Sequence, residues 1–180
     1  VTNEQRRSAK AINFGLIYGM SAFGLSKQLK TNRNEAQDYI ELYFSRYPGV
    51  KQYMDQTKET ARDTGYVETV FGRRLYLPDI DASNYQRRQY AERSAINAPM
   101  QGTAADLIKK AMIRLHHEII QQSLGAKIIM QVHDELVLEV IESDLIEVSK
   151  LTQEIMSNVA NLELDLKVDI GIGDNWEQAH

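Results

Sequence analysis

The sequence predicts an α+β fold, in which a mainly helical segment is followed by a small antiparallel sheet packed on helices. Apolar residues recur at helical spacing through most of residues 3–122, and short apolar runs typical of strands come later, with the strongest at residues 128–140. Helices in one part of the chain and strands in another form the α+β pattern. At 180 residues, 43% of them hydrophobic, the chain can bury one sizeable core or two small ones.

Capping residues divide the first part of the chain into helices. Thr2 and Gln5 have the spacing of a capping box, and Ser21 and Asn32 are side chains favoured at N-caps. A Pro-Gly pair at residues 48–49 breaks the helical pattern before the next helix. The expected helices lie at residues 3–20, 22–30, 34–47 and 50–64.

A hairpin, a long helical stretch and a second hairpin follow. Two strand-like runs meet across Phe71-Gly72, and their Arg73 and Arg74 are either phosphate contacts or ordinary exposed strand arginines. The long helical stretch contains Pro99, where a bend or a new helix start is expected because proline disfavours helix in the residue before it. The expected elements are strands at residues 66–70 and 73–77, helical residues 84–122, a hairpin at 128–140, a helix at 144–160 and a strand at 166–172.

The composition excludes several classes of protein. The chain has no cysteine, so it forms neither a disulfide framework nor a thiolate metal site, and a reducing, cytoplasmic location is expected. No charge-free run approaches the roughly 20 residues that span a bilayer, and the N-terminus has no signal-peptide pattern, so no membrane partner is expected. The chain begins at Val1 rather than at an initiator methionine, and we expect it to be cut from a longer protein.

Charge is unevenly distributed along the chain. The net charge is −4, yet residues 1–110 hold 17 basic and 12 acidic side chains, whereas residues 111–180 hold 4 basic and 13 acidic ones. The two balances, +5 and −9, indicate a basic face for a polyanion and an acidic region elsewhere.

The first predicted helix carries a stripe that is half cationic and half aromatic. Arg6, Lys10, Phe14 and Tyr18 lie at successive i,i+4 positions. A cationic pair near a helix N-terminus favours phosphate, and aromatic rings one and two turns further on can meet a base or a sugar. The alternative, left open by spacing alone, is that the two rings are core residues and the two cations form a solvated face.

The second predicted hairpin places acids at its tip. Two apolar runs meet at His133-Asp134-Glu135, and carboxylates on rigid strands are the hard oxygen ligands that Mg²⁺ prefers. The alternative is an ordinary solvated turn between two strands.

Hydrogen-bond donors cluster around the predicted helix break. Arg93, Asn97 and Gln101 lie there, preceded by Arg87 and Arg88. Every base pair presents N3 or O2 acceptors in the minor groove, so a row of donors can check pair geometry without reading sequence.

Four segments resemble motifs of the family A DNA polymerases. Residues 6–19 (RRSAKAINFGLIYG) resemble motif B, and residues 131–135 (QVHDE) resemble motif C. Residues 72–78 (GRRLYLP) and 93–106 (RSAINAPMQGTAAD) also match, in the same order along the chain. The resemblance covers essentially the whole sequence, includes two long motifs at consistent spacing, and indicates a bacterial member of the family.

The resemblance implies a DNA-directed DNA polymerase, a nucleotidyltransferase that adds deoxynucleotides to a primer 3′ end. Residues 1–85 would be a fingers segment with the nucleotide-binding helix, and residues 86–180 part of the palm. The implied reaction is an in-line phosphoryl transfer assisted by two Mg²⁺ ions roughly 3.5–4 Å apart. The implied partners are primer–template DNA, deoxynucleoside triphosphates and the rest of the polymerase chain, in DNA replication and repair at the nucleoid of a bacterial cytoplasm.

The same resemblance assigns a role to each matched residue. Arg6 and Lys10 would hold the triphosphate, Phe14 would pack near the sugar and disfavour dideoxynucleotides, and Tyr18 would lie near the templating base. Asp134 would be a catalytic metal ligand with Glu135 beside it. The implied sets are nucleotide-binding Arg6, Lys10, Phe14 and Tyr18; DNA-binding Arg93, Asn97, Gln101 and His133; and catalytic Lys10, Asp134 and Glu135.

One motif of the family has no counterpart in these residues. Motif A, a strand that ends in the other catalytic aspartate, precedes motif B in the family. Because one aspartate with an adjacent glutamate cannot bridge two metal ions as paired aspartates do, we expect the chain by itself not to extend a primer. The alternative function is a non-catalytic fragment that binds nucleotide or DNA.

Overall fold

Two compact units make up the chain. The computed structural model describes residues 1–179, with the side chains of all of them except Asn3, Glu4 and Ser8. The first unit is Val1–Gly102 and the second is Thr103–His180. The described residues are mostly helical with two small antiparallel sheets, which confirms the predicted α+β class. None of the described helices is long and apolar enough to cross a membrane.

Seven helices and four strands follow one another along residues 1–179. The first unit contains α1 (Asn3–Ile17), α2 (Ala22–Leu29), α3 (Arg33–Arg46), α4 (Pro48–Thr64), β1 (Tyr66–Glu68) and β2 (Arg74–Tyr76). Helix α5 (Tyr85–Gln121) begins in the first unit and ends in the second. The second unit continues with β3 (Ala126–Val132), β4 (Glu135–Val140), a 3₁₀ turn (Glu142–Asp144), α6 (Leu145–Ser157) and α7 (Trp176–Ala179).

Side-chain caps begin the first three helices where the sequence predicts them. The Thr2 hydroxyl accepts the Gln5 N–H while the Gln5 side chain accepts the Thr2 N–H, which completes the capping box. Ser21 and Asn32 cap α2 and α3 in a similar way, each accepting a backbone N–H from the first turn. Local side-chain chemistry therefore sets these helix starts.

Helix α1 ends three residues earlier than the predicted Met20. Gly19 has φ +76°, a left-handed conformation that glycine adopts without the steric cost that other residues incur. Its N–H donates to the Leu16 carbonyl at 3.0 Å, which closes the last turn. The chain therefore leaves the helix axis just after Tyr18.

The first unit has two separate hydrophobic cores. One joins α1, α2 and α3, and the other joins α4, the first hairpin and α5. Each core takes one face of its helices and leaves the opposite face to solvent. The buried members are Ile12, Leu16, Ala22, Leu25 and Ala36 in the first core, and Ala61, Val67, Leu77, Ile80, Ala91 and Ala95 in the second.

Strands β1 and β2 form the predicted first hairpin but are shorter than expected. They pair antiparallel, with Tyr66 opposite Tyr76. The residues nearest the turn belong to the connecting loop, where the Thr69 N–H donates to the Arg73 carbonyl at 2.9 Å. The hairpin thus presents Arg73 beside its turn rather than within the ladder.

A single helix of 37 residues runs through the predicted break, with Pro99 inside it. Proline lacks an N–H, so it removes one helical hydrogen bond, but the bonds on either side remain. Helix α5 is also packed on both sides of the proline, through Ala91 and Ala95 before it and through Ala111 and Leu115 after it. Of the two predicted outcomes, a bend or a new helix start, the new start is therefore wrong, because one missing hydrogen bond does not outweigh this packing.

The second unit packs the hairpin of β3 and β4 against α5 and α6. The predicted hairpin is confirmed, with an irregularity in register between Ile128 and Met130. Its apolar face contributes Leu136 and Leu138 of β4 to the core of this unit. The buried members of that core are Ala111, Leu115, Ile119 and Ile155.

The predicted strand at residues 166–172 is wrong. Within the described part of the chain β3 and β4 pair only with each other, so no neighbouring strand offers these residues a ladder. The segment is held by side-chain contact, since Gln153 Nε2 donates to the Val168 carbonyl at 2.9 Å. The Ala179 carbonyl lies where a side chain at Gly171 would begin, so α7 approaches this segment closely. The alternating apolar pattern describes only the segment itself, whereas a β-strand also needs a neighbouring strand to pair with.

Candidate functional site

A cationic and aromatic stripe lies along one side of α1. Lys10 Nζ lies 5.9 Å from the centroid of the Phe14 ring, and the ring centroids of Phe14 and Tyr18 lie 6.0 Å apart. Arg6 and Lys10 are exposed, Phe14 is 48% exposed, and Tyr18, at the C-cap of the helix, is partly buried. The four predicted nucleotide-binding residues therefore form a continuous surface stripe.

The opposite face of α1 explains why the stripe stays outside. Ile12 is 6% exposed and Leu16 is 1% exposed, and both pack with residues of α2 and α3. Because that face supplies the apolar contact, the helix does not need its aromatic residues for packing. Neither Phe14 nor Tyr18 is a buried core residue, so the alternative interpretation of the stripe as part of the core is wrong.

Arg93 of α5 lies beside the end of α1 in the first unit. A cavity of about 230 Å³ is lined by Leu16, Gly19, Met20 and Arg93, together with side chains of α3 and α4. A Cβ placed on Gly19 would lie 3.4 Å from Arg93 Cγ. The structure thus brings one predicted DNA-binding residue next to the turn that follows Tyr18.

Three predicted hydrogen-bond donors, Arg93, Asn97 and Gln101, lie in a row on one face of α5. We call these three residues the donor row. These residues are four apart, and because α5 is continuous through Pro99 their side chains occupy successive turns of the same face. Arg93 and Gln101 are exposed and Asn97 is partly buried. Asn97 Oδ1 is buried with no hydrogen-bond partner among the described residues, a situation that is uncommon in folded proteins and that singles out Asn97 within the row.

Several other arginines of the first unit are tied to neighbouring oxygens. Arg87 forms an ion pair with Asp79 at 2.7 Å, and Arg88 donates to a loop carbonyl at 2.8 Å. Arg74 forms an ion pair with Glu68 at 2.7 Å, and the hydrogen bond to that carboxylate raises the pKa of the guanidinium. These contacts favour the interpretation of Arg74 as an ordinary strand arginine paired across the hairpin.

Asp134 and Glu135, the two acids of the predicted hairpin tip, lie at a two-residue turn of the second unit. Val132 pairs with Glu135, so His133 and Asp134 connect β3 to β4. His133 has φ +52°, an uncommon conformation for a residue with a side chain, and Gln131 Nε2 donates to its carbonyl at 2.8 Å. His133 and Asp134 are exposed and Glu135 is partly buried. The predicted acidic tip is therefore a defined turn held by both strands and by a neighbouring side chain.

The carboxylates of this tip line a groove of the second unit. The cavity, of about 480 Å³, is lined by Asp134 and Glu135, by apolar side chains of β4 and α6, and by residues 167–173. Among the side chains that the structure describes, no three histidine or acidic ones are grouped closely enough to hold a metal ion. Two adjacent carboxylates have the oxygen donors that Mg²⁺ takes, but they fill only part of its six-oxygen shell. The chemistry of the donors thus fits one part of a Mg²⁺ site.

The supporting contacts of three residues were not predicted from the sequence. The Tyr53 hydroxyl donates to the Ile96 carbonyl at 3.0 Å, and Arg73 Nη2 donates to the Gly102 carbonyl at 2.9 Å. The third, Gln131, supports the acidic turn through its hydrogen bond to the His133 carbonyl. Because Gln131 lies only two residues before His133, its position along β3 could have predicted this contact. The other two contacts join residues that are 43 and 29 positions apart, beyond the reach of any local pattern.

The sequence matches a known family over nearly its whole length. The family model described as DNA polymerase family A matches residues 1–178. DNA polymerase I of Pseudomonas aeruginosa is 56% identical over 180 residues, which are 100% of this chain and 20% of that protein. DNA polymerase I of Geobacillus stearothermophilus is 47% identical over 179 residues, 99% of this chain and 20% of that protein. The chain therefore spans about a fifth of the length of these relatives.

A solved structure is similar in fold as well as in sequence. It is the POL domain of Pol1 from M. smegmatis in complex with DNA primer-template and dNTP. The TM-score is 0.97 at 47% sequence identity, and the match covers 99% of this chain and 32% of that one.

Proposed function

This chain belongs to DNA polymerase family A, and from that premise we propose that it is the fingers and palm segment of a DNA-directed DNA polymerase. In this proposal residues 1–85 form the fingers segment and residues 86–180 form part of the palm. The parent enzyme adds deoxynucleotides to a primer 3′ end by phosphoryl transfer. We expect it to act on nucleoid DNA in a bacterial cytoplasm, since its relatives come from bacteria.

The observation that carries this proposal is the exposed stripe of Arg6, Lys10, Phe14 and Tyr18 on α1. Arg6 lies in the first turn of α1, at the positive end of the helix dipole, and Lys10 lies one turn further on, at the middle of the helix. A triphosphate would therefore meet favourable charge from both side chains, and from the backbone at the end of the helix near Arg6. Phe14 offers an exposed ring to a sugar or base one turn further on. In the reaction, the two cations would offset the negative charge of the departing pyrophosphate.

Contact with primer–template DNA is proposed for the donor row and for His133. Arg93 and Gln101 are exposed on one face of α5, and His133 is exposed at the acidic turn. Donors aligned along a helix can bond the N3 and O2 acceptors that every base pair presents in the minor groove. The similar solved structure is a complex with DNA primer-template and dNTP, which supports these two classes of partner.

Asp134, with Glu135 beside it, would hold one side of a Mg²⁺ site shared with carboxylates elsewhere in the parent enzyme. When bound, a pair of Mg²⁺ ions supplies charge that stabilises the attacking and leaving oxygens of the phosphoryl transfer. The part played by this chain is to fix the carboxylate in place. The turn at His133 and the hydrogen bond from Gln131 hold Asp134 between two paired strands.

By itself the chain is proposed to bind nucleotide and DNA without joining them. This second proposal rests on the donor set, since the described residues group no third acidic or histidine ligand with Asp134 and Glu135. Two adjacent carboxylates do not complete two metal sites. Binding therefore needs only residues that this chain contains, whereas catalysis needs further ligands.

Equilibrium binding of dATP in the presence of Mg²⁺ tests the nucleotide assignment. We expect Lys10→Ala and Arg6→Ala each to weaken binding by about tenfold or more, because a hydrogen bond to a charged group contributes roughly 1.5–3 kcal/mol. Lys51→Ala removes an exposed lysine from α4 of the same unit and serves as the matched control. Equal dissociation constants for Lys10→Ala and Lys51→Ala would contradict the assignment.

A further inference from the structure

Pro99 interrupts the hydrogen bonds of α5 in the middle of the donor row. A proline has no N–H, so the carbonyl four residues earlier, that of Ala95, receives no helical donor from it, and the ring crowds the same turn. Asn97 and Gln101 lie on either side of Pro99. Alignment of the row therefore depends on α5 keeping its path across the proline.

A tyrosine of α4 supports this turn on its N-terminal side. The Tyr53 hydroxyl donates to the Ile96 carbonyl at 3.0 Å, and the bond is partly buried. Burial also raises the pKa of Tyr53 above its ordinary value of 10.0. Ile96 directly precedes Asn97, so the bond ties the backbone beside the row to α4.

An arginine of the first hairpin supports α5 on the other side of the proline. Arg73 Nη2 donates to the carbonyl of Gly102, the residue that directly follows Gln101. The hairpin approaches α5 closely here, since a Cβ at Gly102 would lie 2.6 Å from Thr69 Cγ2 and 3.2 Å from Arg73 Nη2. Only glycine leaves room for this contact without a shift of neighbouring atoms.

We propose that Tyr53 and Arg73 are positioning residues for the donor row. Their two hydrogen bonds flank Pro99 and hold this turn of α5, so that Asn97 and Gln101 meet the minor-groove edge of a duplex in a fixed register. Neither residue touches DNA. The inference rests on the proposed function, because that function assigns the donor row to DNA.

A purely structural role leads to a different expectation. If Tyr53 only added stability, its loss would lower the resistance of the first unit to urea, and the molecules that remain folded would recognise the same DNA atoms. If it positions the row, its loss changes which acceptors are recognised. Removing one acceptor from the DNA separates these two cases.

Binding of the 180-residue chain to two fluorescent primer–templates provides this test. One duplex carries guanine in the terminal base pair of the primer, and the other carries 3-deazaguanine, which lacks the N3 acceptor of the minor groove. We expect the wild-type chain to bind the guanine duplex about two- to tenfold more tightly, the range for one hydrogen bond. Tyr53→Phe should bring this ratio close to one, whereas Tyr39→Phe, at an exposed tyrosine of α3, should leave it unchanged.

Two results of the DNA measurement would overturn the inference. In one, Tyr53→Phe keeps the wild-type ratio. In the other, the wild-type chain binds both duplexes equally, which means that the row does not recognise minor-groove acceptors. A wild-type chain that binds neither duplex contradicts the proposed function instead, and the inference is then decided by hydrogen exchange.

Amide hydrogen exchange of residues 95–102 decides the structural half of the inference without DNA. In Tyr53→Phe and in Arg73→Gln we expect exchange to rise about fivefold in this segment alone, since each variant removes one hydrogen bond at the proline turn. Unchanged exchange there, or a rise spread over the whole first unit, would overturn the inference.

Discussion

At the scale of single residues, the contacts of each arginine decide what its charge can do. Arg74 and Arg87 are neutralised in part by Glu68 and Asp79, and Arg73 donates to a backbone carbonyl of α5. Sequence alone does not show which of these arginines already has a partner within the fold. The structure separates them, because an arginine already engaged within the fold must break that contact before it can bind phosphate.

The salt dependence of DNA binding distinguishes the two interpretations of Arg73. Each phosphate contact made by a protein on B-DNA steepens the plot of log affinity against log salt by about 0.9. Because Arg73 donates to the Gly102 carbonyl, we expect Arg73→Gln to have the same slope as the wild-type chain. A slope shallower by about 0.9 would show that Arg73 contacts phosphate. Arg74→Gln, one residue along the hairpin, is the matched control.

At the scale of elements, the second hairpin is anchored at the end opposite its acidic turn. The Asp144 carboxylate accepts the Gly125 N–H at 2.7 Å, and the Ile141 N–H donates to the Gly125 carbonyl at 2.8 Å. These bonds join the start of β3 to the end of β4 and to the turn that begins α6. An anchored base and a two-residue turn together fix where Asp134 lies relative to the strands.

Stability of this anchor should depend on pH in the acid range. The Gly125 N–H, and next the Ser143 hydroxyl, lower the pKa of Asp144 below its ordinary value of 3.8. The folded chain thus holds this proton less tightly than the unfolded chain. The stabilisation is fully present above the ordinary pKa and is lost as pH falls through it toward the lower folded value.

The urea midpoint, measured from about pH 5 down to about pH 3, checks this expectation. The wild-type chain should lose more stability over that range than Asp144→Asn, which lacks the titrating group. Asp165→Asn, at an exposed carboxylate of the same unit, should behave as the wild type does. Parallel curves for wild type and Asp144→Asn would contradict the anchoring role.

At the scale of the whole molecule, local signals predict more than distant contacts do. Caps at Thr2, Ser21 and Asn32 act within one turn, so the helix starts could be predicted. Continuity of α5 through Pro99 depends on packing with other elements, and a single-residue preference could not reveal it. The segment at residues 166–172 has the composition of a strand, but its state depends on the presence of a partner strand.

The candidate site, too, has parts that the sequence predicts and parts that it does not. The stripe on α1 and the acidic turn were predicted because spacing within one helix or one hairpin places their residues together. The supports behind them were not, since Tyr53 reaches Ile96 and Arg73 reaches Gly102 only after the chain has folded. Residues of the proposed site that share one helix or one hairpin can thus be predicted from the local pattern, whereas supports that lie far away along the chain, such as Tyr53 and Arg73, cannot.

Primer extension and primer–template binding, measured together on the 180-residue chain, test the central claim most directly. The chain is mixed with a labelled primer–template, Mg²⁺ and all four deoxynucleoside triphosphates. We predict saturable binding that weakens as salt rises, because phosphate contacts release counterions, and no lengthening of the primer. Lengthening would show that the carboxylates of this chain suffice for catalysis, and absence of binding even at low salt would contradict the assignment of the chain to nucleotide and DNA.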